Sequence, residues 1–403
     1  MSDEEIRALE RDATPAGRLK VARALERLGR RDEALDALIP AREDRAVRAE
    51  IARYPAWTHE GGNEGNTFSV DVAPVLDQPR PIWTHEGTLD AGRLESLALQ
   101  FLATPGVAVF SIARGRAAVH DMETGEVLWQ FEHGDDLRSS RAAISGSLLL
   151  LWTEEGVVAR DLSTGDVRWR LPGKAWEVRG GLLLFEEGRE LVAFEVRDAV
   201  PVEVWRSEMP EHHDDRGDQD RWLATARCVY VRAPRGFTEL DRANGKRLAS
   251  GQGTIFCADD TAALCSVPGG ALLLGGRLLA LGVARRPLLG PAHAVAEIDH
   301  AATVFDRADG QTRGLTLSYR DTGDWTVPHA AYWSAALARS VLYAAAAGMF
   351  SAVNAETGMI LWETRNGDAG DFAEVRSREV DAVVPAHRRI LTFARDGTVT
   401  CYR

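Results

Sequence analysis

The sequence predicts a mainly β fold, an eight-bladed β-propeller that follows a small α-helical N-terminal extension. Three observations support this prediction. A strand–turn–strand pattern ending in tryptophan recurs along the chain, and its copies are spaced by about the length of one four-stranded blade. The third observation concerns the ends of the chain, because an unfinished set of strands at the C-terminus is complemented by a single strand near residue 83.

Residues 1–54 are predicted to be helical, because Ala, Leu, Arg and Glu dominate and apolar residues recur every three or four positions. Gly29 and Pro40 are expected to end helices, and Asp32 to cap the helix between them. The apolar stripe of the preceding helix consists of Leu19, Ala22, Leu25 and Leu28. This hairpin resembles a tetratricopeptide repeat, of which one copy is too short to form a solenoid. We expect either a cap that packs on the next domain or a hairpin that docks a partner.

Three segments show the repeat most clearly. They are AAVHDMETGEVLW, which ends at Trp129, VVARDLSTGDVRW, which ends at Trp169, and SAVNAETGMILW, which ends at Trp362. The glycine of each turn supplies the positive φ of a tight hairpin. A tryptophan on an outer strand is expected to cover the seam between neighbouring sheets. Weaker copies place the same mark at Trp205, Leu248, Leu288 and Trp325, so that successive marks lie 36 to 43 residues apart.

This motif resembles the repeat of the pyrroloquinoline-quinone-like, or quinoprotein-type, β-propellers, and the resemblance extends over residues 57–403. The five-residue word WTHEG occurs at Trp57 and again at Trp83. We interpret the second copy as the outer strand of an eighth blade whose other strands come from the C-terminus. The first copy is assigned to a lead-in segment, residues 55–79, and the propeller to residues 80–403. Seven blades are the alternative if residues 251–325 form fewer sheets.

Composition limits the partners and the compartment. The net charge of −12 argues against nonspecific binding to nucleic acid or to an anionic membrane, since both require a basic surface. The first residues have neither a basic region nor an apolar core typical of a signal peptide, and the four cysteines show no metal-binding spacing. We therefore expect a cytoplasmic protein with reduced thiols, whose partner is another protein and which is compatible with a monomer.

The resemblance implies two classes of function. Some quinoprotein-type propellers are dehydrogenases that hold the quinone and a calcium ion over the central channel, but no set of residues here transfers onto that site. Other members are non-catalytic interaction platforms, such as an exported lipoprotein of outer-membrane barrel assembly. We therefore predict a non-catalytic scaffold for protein–protein interaction, without cofactor or metal. The alternatives are a quinone- or metal-dependent enzyme with its site over the channel, and a small-ligand sensor with aromatic residues such as Trp152, Trp176, Trp222 or Trp333.

The links between blades are the predicted partner-binding loops. They are rich in acidic residues and histidines, which would suit a cationic partner or, less simply, a divalent cation. The candidate residues are His133, Asp135, Asp136, Glu211, His212, His213, Asp214, Asp215, Asp218, Asp220, His329, Asp368 and Asp371. The competing interpretation is a solvated acidic surface that keeps the protein soluble.

Overall fold

The computed structural model describes the chain over residues 3–54, 69–86, 101–113, 116–132, 142–153, 155–172, 177–179, 181–197, 199–209, 222–233, 236–267, 270–281, 285–298, 301–318, 334–346, 349–365, 380–394 and 397–403. Its strands form eight separate sheets, each of which is one blade of a propeller. The predicted eight-bladed fold is therefore confirmed.

The four α-helices found among the described residues lie in the N-terminal extension, which we call the cap. They are α1 Asp3–Glu10, α2 Pro15–Arg27, α3 Arg31–Leu38 and α4 Arg45–Ile51, with a 3₁₀ turn at Ile39–Ala41. Thr14 caps α2 by accepting a hydrogen bond from the Gly17 amide. Asp32 lies in the first turn of α3 and does not cap it, since the N-cap position is Arg30. Leu28, which was included in the apolar stripe, is the C-cap residue of α2 and is 44% exposed.

Each blade contains four antiparallel strands in order from the channel outwards, except where the chain ends meet. The first four blades are blade 1 (β3 Leu102–Ala103, β4 Val107–Ala113, β5 Arg116–Asp121, β6 Val127–Glu132), blade 2 (β7 Ala142–Ser145, β8 Leu148–Thr153, β9 Gly156–Asp161, β10 Val167–Pro172), blade 3 (β11 Glu177–Arg179, β12 Leu182–Glu187, β13 Glu190–Glu195, β14 Val202–Glu208) and blade 4 (β15 Trp222–Ala224, β16 Cys228–Ala233, β17 Gly236–Asp241, β18 Arg247–Gln252).

The other four blades continue the ring. They are blade 5 (β19 Thr254–Ala258, β20 Ala263–Val267, β21 Ala271–Leu274, β22 Arg277–Leu281), blade 6 (β23 Arg285–Leu289, β24 His293–Ile298, β25 Ala301–Asp306, β26 Thr312–Ser318), blade 7 (β27 Ser334–Ala338, β28 Val341–Ala346, β29 Met349–Asn354, β30 Ile360–Arg365, with β1 Ser69–Val70) and blade 8 (β31 Val380–Ala386, β32 Arg389–Ala394, β33 Val399–Tyr402, β2 Pro81–His85).

Blade 8 closes the ring with strands from both ends of the chain. The N-terminal strand β2 pairs antiparallel with the C-terminal β33, and Trp83 lies opposite Cys401. This is the closure that the second WTHEG word predicted. The backbones of Arg80 and Arg403 also exchange two hydrogen bonds of 2.9 Å. Joining the chain ends within one sheet gives the closing blade its fourth strand and so completes the ring.

The lead-in segment is part of the propeller sheet system from residue 69 onwards. Its strand β1 pairs in parallel with β27, the innermost strand of blade 7. The Val75 amide then donates to the hydroxyl of Tyr343, which is completely buried, at 2.7 Å. The lead-in therefore occupies the inner edge of blade 7 and joins the hydrophobic core between blades 7, 8 and 1. Trp57 lies outside the described residues.

Two opposite faces of the ring can be distinguished. The cap face carries the turns between the first and second strands and between the third and fourth strands of a blade, such as residues 122–125 of blade 1. The link face lies at the other end of the strands, where Arg116 and Glu132 pair and where β6 ends before the link to blade 2. The cap contacts the cap face, whereas the strand ends that border the predicted loops, such as Glu132, lie at the link face.

Candidate functional site

All thirteen predicted partner-binding residues lie outside the described part of the chain. The strands that border their segments end at the link face, as Glu132 does for the segment that contains His133. The prediction of an acidic interaction surface there stays a prediction. Within the described residues, no group of three or more His, Cys, Asp or Glu side chains is placed to hold a metal ion.

Tryptophans of the outer strands join neighbouring blades in a repeated way. Each indole N–H donates to a backbone carbonyl of the next blade or, at blade 7, of the lead-in. These bonds are Trp83 to Met122 at 2.9 Å, Trp129 to Leu162 at 3.0 Å, Trp169 to Arg197 at 3.0 Å, Trp205 to Arg242 at 2.7 Å and Trp362 to Val75 at 3.2 Å. The ring planes cover apolar side chains while the single polar atom is satisfied, as buried indoles require.

Turn glycines receive these indoles. A Cβ atom added to Gly165 would lie 2.7 Å from Cδ2 of Trp129, and one added to Gly245 would lie 2.6 Å from Cε3 of Trp205. Both glycines have positive φ, 77° and 70°. Glycine is therefore required twice at each turn, for the left-handed backbone and for the close approach of the ring.

Three weaker marks are corrected by the strand register. The residue that matches Trp129 on the outer strand of blade 4 is Ala249, opposite Glu239, so the mark at Leu248 was wrong by one residue. Leu288 lies on β23, the inner strand of blade 6, and was wrongly assigned to an outer strand. The copy assigned to Trp325 begins at Thr316, and residues 316–318 already belong to the outer strand β26, so the mark at Trp325 was placed too late in the chain. Trp325 itself lies outside the described residues.

The closing seam contains two histidines that sequence reasoning did not assign a role. His85 Nε2 lies 2.7 Å and His120 Nδ1 3.0 Å from the carbonyl oxygen of Gly125, so both rings donate to one acceptor. The His120 ring stacks on Phe110 with centroids 4.1 Å apart. Burial lowers the pKa of His120 to about 4, against the effect of the Gly125 bond. Through this bond His85 joins blade 8 to blade 1.

Charged pairs fix the cap to blades 7, 8 and 1. Arg339 of blade 7 forms two hydrogen bonds with Asp32, at 2.7 and 2.8 Å. Asp36 accepts from His387 at 2.8 Å and from Arg388 at 3.0 Å, both in blade 8. These acidic residues of α3 therefore act as anchors on the cap face.

The two anchoring arginines have an unusual backbone. Arg339 and Arg388 have positive φ values of 52° and 50°, in the left-handed region that glycine favours. At the position of Arg339, between the first two strands of its blade, blade 2 has Gly146 with φ 57°. Blade 7 thus accepts local strand-turn strain at a position where the arginine side chain reaches Asp32.

A cleft of about 320 Å³ lies where the cap meets blades 1 and 2, and we call it the cap cleft. Its apolar surface comes from Ile51, Val107 and Leu162, which are almost completely buried, and from Leu128, which is 39% exposed. Its polar lining residues are Arg42, Glu43, Arg45, Arg48, Thr104, Asp121, Ser147, Asp161, Ser163 and Arg168.

Two of the three carboxylates of the cap cleft, those of Asp121 and Asp161, are neutralised by arginines. Asp121 accepts two hydrogen bonds from Arg42, at 2.7 and 3.1 Å, and these outweigh burial, so that the pKa of Asp121 is lowered. Burial raises the pKa of Asp161, but hydrogen bonds from Ser163 and Arg168 outweigh it and lower the value to about 2. Among the remaining charged lining residues, Arg45 and Arg48 outnumber Glu43, so the cleft has an excess of one positive charge.

Arg45 and Arg48 are the cations available to a ligand. Arg45 is exposed and forms no ion pair with any residue that the structure describes. The Nε atom of Arg48 is buried and has no hydrogen-bond partner among the described residues. An unsatisfied buried donor costs about 1–3 kcal/mol, so an incoming acceptor would gain by reaching it.

The aromatic residues suggested for a ligand pocket belong to the core where they are described. Trp152 is 8% and Trp222 3% exposed, and they pack in the cores between blades 2 and 3 and between blades 3 and 4. Trp176 and Trp333 lie outside the described residues. Among the helices that the structure describes, none is long and apolar enough to cross a membrane.

Comparisons with known proteins agree with this architecture. A family model described as outer membrane protein assembly factor BamB matches residues 113–252, less than half of the 403-residue chain. Over these residues the chain is similar to that family, and its overall fold is an eight-bladed propeller. The resemblance noted in the sequence is thus confirmed at the level of the repeat and the fold.

Solved structures share the fold at low identity. The chain is similar to BamB from Moraxella catarrhalis, with a TM-score of 0.53 and 15% identity over 81% of this chain and 98% of that one. It is also similar to the quinohemoprotein alcohol dehydrogenase ADHIIG from Pseudomonas putida HK5, with a TM-score of 0.57 and 11% identity over 89% and 82%. The computationally designed Ika8 protein gives 0.52 and 16% over 79% and 99%. No curated protein matches the chain.

Proposed function

We propose that this protein is a non-catalytic scaffold that binds a segment of another protein in the cap cleft. The carrying observation is the cleft itself, which combines an apolar surface with cationic groups that have no carboxylate partner among the described residues. Interfaces of this kind are built from a buried apolar centre and a polar rim. The charge pattern suits a segment with apolar and acidic side chains.

Attachment of the cap supports this proposal. Asp32, Asp36 and Arg42 connect three different blades to one short set of helices, so the wall of the cleft formed by α4 is held against the propeller. A wall that is already in place spares a ligand the cost of ordering it. The description of the matching family model, an assembly factor, also favours a binding role.

The enzyme alternative has weaker support. The similar dehydrogenase shares only 11% identity, and fold alone does not carry an activity. A cytoplasmic location belongs to the same proposal. It is supported by four cysteines that are buried and free of disulfides, as is usual in reducing compartments. Fractionation of the native host would test the location directly.

Site-specific photo-crosslinking tests the proposed function. A benzoylphenylalanine in place of Ala49, an exposed residue of the cleft, should capture one defined protein in the native host. The same group in place of Val202, which is 47% exposed on the outer strand of blade 3, is the control and should not capture it.

Charge reversal then tests whether the positive charge of Arg45 contributes to binding in the cap cleft. Arg45→Glu should reduce the Ala49 crosslink severalfold, whereas Arg45→Lys should retain it, because the lysine keeps the positive charge. Equal capture at both crosslinking positions, or a crosslink insensitive to Arg45→Glu, would refute binding in the cap cleft.

A further inference from the structure

The seam between blades 4 and 5 lacks the tryptophan that joins other blades. In blade 2, Trp169 follows the turn glycine Gly165 by four residues, and in blade 4 the same position after Gly245 is Ala249. Ala249 lies opposite Glu239 in the ladder, as Trp169 lies opposite Ala159. The outer strand of blade 4 therefore offers a methyl group where an indole is found elsewhere.

The turn of blade 5 that would contact such an indole has open space beside its two glycines. A Cβ atom on Gly275 would meet only the Cβ of Ala262, at 3.6 Å, and one on Gly276 would meet nothing within 4 Å. The equivalent glycine of blade 2, Gly165, would place its Cβ 2.7 Å from an indole. The turn of blade 5 thus leaves space for an indole ring, but blade 4 has no tryptophan to fill it.

A hydrogen-bond acceptor is also retained there. The Met122 amide donates to the Gly106 carbonyl at 3.1 Å, and the Met122 carbonyl accepts from the indole of Trp83. The Gly275 amide makes the matching bond to Ala263 at 3.0 Å. The Gly275 carbonyl therefore holds the position that binds an indole N–H at the closing seam.

The result is a cleft of about 400 Å³ on the cap face, which we call the seam cleft. Its aromatic wall is formed by Tyr230 and Phe237, whose rings are 5.9 Å apart in an edge-to-face arrangement. Leu248 borders it and remains 54% exposed. A volume of this size is sufficient for a bound side chain or small molecule.

Negative charge surrounds the seam cleft. Its lining includes four carboxylates, those of Glu239, Asp241, Asp259 and Asp260, against the single guanidinium of Arg227. Arg307 pairs with Asp259, which leaves the other three in excess over Arg227. Asp260 is exposed and accepts from the Ala226 amide at 2.6 Å. These carboxylates would therefore attract a cationic residue that lies next to an aromatic side chain bound in the cleft.

We propose that the seam cleft binds a tryptophan side chain presented by a basic segment of a partner protein. The indole occupies the space between blades 4 and 5, and its N–H donates to the Gly275 carbonyl. Flanking lysines or arginines face the carboxylates. This site goes beyond the proposed function, because it is separate from the cap cleft: the ion pairs that attach the cap reach blades 7, 8 and 1.

The test measures binding of a defined probe to the full chain. The peptide acetyl-Lys-(5-fluoro-Trp)-Lys-amide is titrated while its fluorine resonance is followed, and the expected result is saturable line broadening at millimolar peptide or below. The Ala249→Trp variant supplies its own indole and should weaken peptide binding at least tenfold. Ser250→Trp is the matched control, since neighbouring strand residues face opposite sides, and it should bind like the wild type.

Charge is tested separately. Asp260→Asn retains an oxygen for the Ala226 amide and should weaken the peptide about two- to fivefold, an effect that added salt should remove. Far-UV circular dichroism verifies that each variant is folded. The proposal is overturned if the wild type does not bind the peptide, if Ala249→Trp binds it equally, or if free indole binds and the peptide does not. None of these outcomes depends on the crosslinks at Ala49, so the two proposals fail independently.

Discussion

The contact between a turn glycine and an indole can be tested by a matched pair of substitutions in blade 2. Gly165 has φ 77° and supports the ring of Trp129, whereas Gly146 has φ 57° and no atom within 4 Å of an added Cβ. Gly165→Ala and Gly146→Ala therefore impose a similar backbone strain in the same blade. Only the first also forces a methyl group into the indole.

The two costs can be separated in magnitude. An alanine in the left-handed region costs about 1–2 kcal/mol at either position. At Gly165 the new Cβ would lie 2.7 Å from Cδ2 of Trp129, a distance that requires movement. The indole cannot withdraw freely, because its N–H bonds to the Leu162 carbonyl at 3.0 Å. Overpacking of this kind costs about 1–3 kcal/mol more, so Gly165→Ala should be the more destabilising by that amount.

Urea unfolding followed by tryptophan fluorescence and far-UV circular dichroism measures both free energies. A double-mutant cycle isolates the contact, because in a Trp129→Ala background the extra cost at Gly165 should disappear and leave only the strain shared with Gly146. If Gly165→Ala and Gly146→Ala are equally destabilising, or if the difference survives in the Trp129→Ala background, the seam contact does not stabilise the fold as reasoned.

Three further predictions concern the closing seam and the cap. The pKa of His120 is about 4 in the folded protein, against an ordinary value of 6.5. The unfolded chain therefore binds a proton first as the pH falls, so the free energy of unfolding should be at its full value above pH 6.5 and decrease by about 3 kcal/mol towards pH 4. Urea midpoints measured across this range should decrease in the wild type, and His120→Gln should remove most of that decrease. Trp83→Phe keeps a ring but removes the bond to the Met122 carbonyl, so it should cost about 1 kcal/mol in the same assay, and no loss would mean that water replaces the indole. Asp32→Asn should cost at most about 1 kcal/mol globally, because its partner Arg339 is partly exposed, yet it should speed amide exchange in α3; unchanged exchange would show that the pair does not anchor the cap.

Much of the fold could be predicted where the repeat is intact. Trp129 and Trp362 mark outer strands because the turn that precedes them needs glycine and the seam needs a large flat ring, and both requirements are visible in one short segment. Ring closure was predictable for a similar reason, since Trp83 repeats the same outer-strand pattern without a preceding turn. These features depend on residues close together in the chain.

Reading by analogy failed where the repeat degenerates. Blade 5 replaces the longer turn by Gly275 and Gly276, so the strands after it come earlier than the spacing suggested, and Leu288 falls on an inner strand. The outer strand of blade 4 has the same bulge as that of blade 1, and the residue that matches Trp129 is Ala249, one position after the predicted mark at Leu248. The spacing from the turn glycine gives this position in the sequence, since the tryptophan follows the glycine by four residues in the intact repeats and Ala249 follows Gly245 by four.

The sequence alone favoured eight blades over seven, identified the turn glycines and outer-strand tryptophans of the intact repeats, and predicted the joining of both chain ends in one sheet. Only the tertiary structure decided where charge and open space occur on the cap face. Asp32 and Arg339 are separated by 307 residues, and Arg42 and Asp121 by 79. The seam cleft likewise depends on residues of blades 4 and 5, such as Leu248 and Gly275, that lie together only in the folded ring. Such pairs have no local pattern, because they exist only once the ring has closed and brought distant turns to one face.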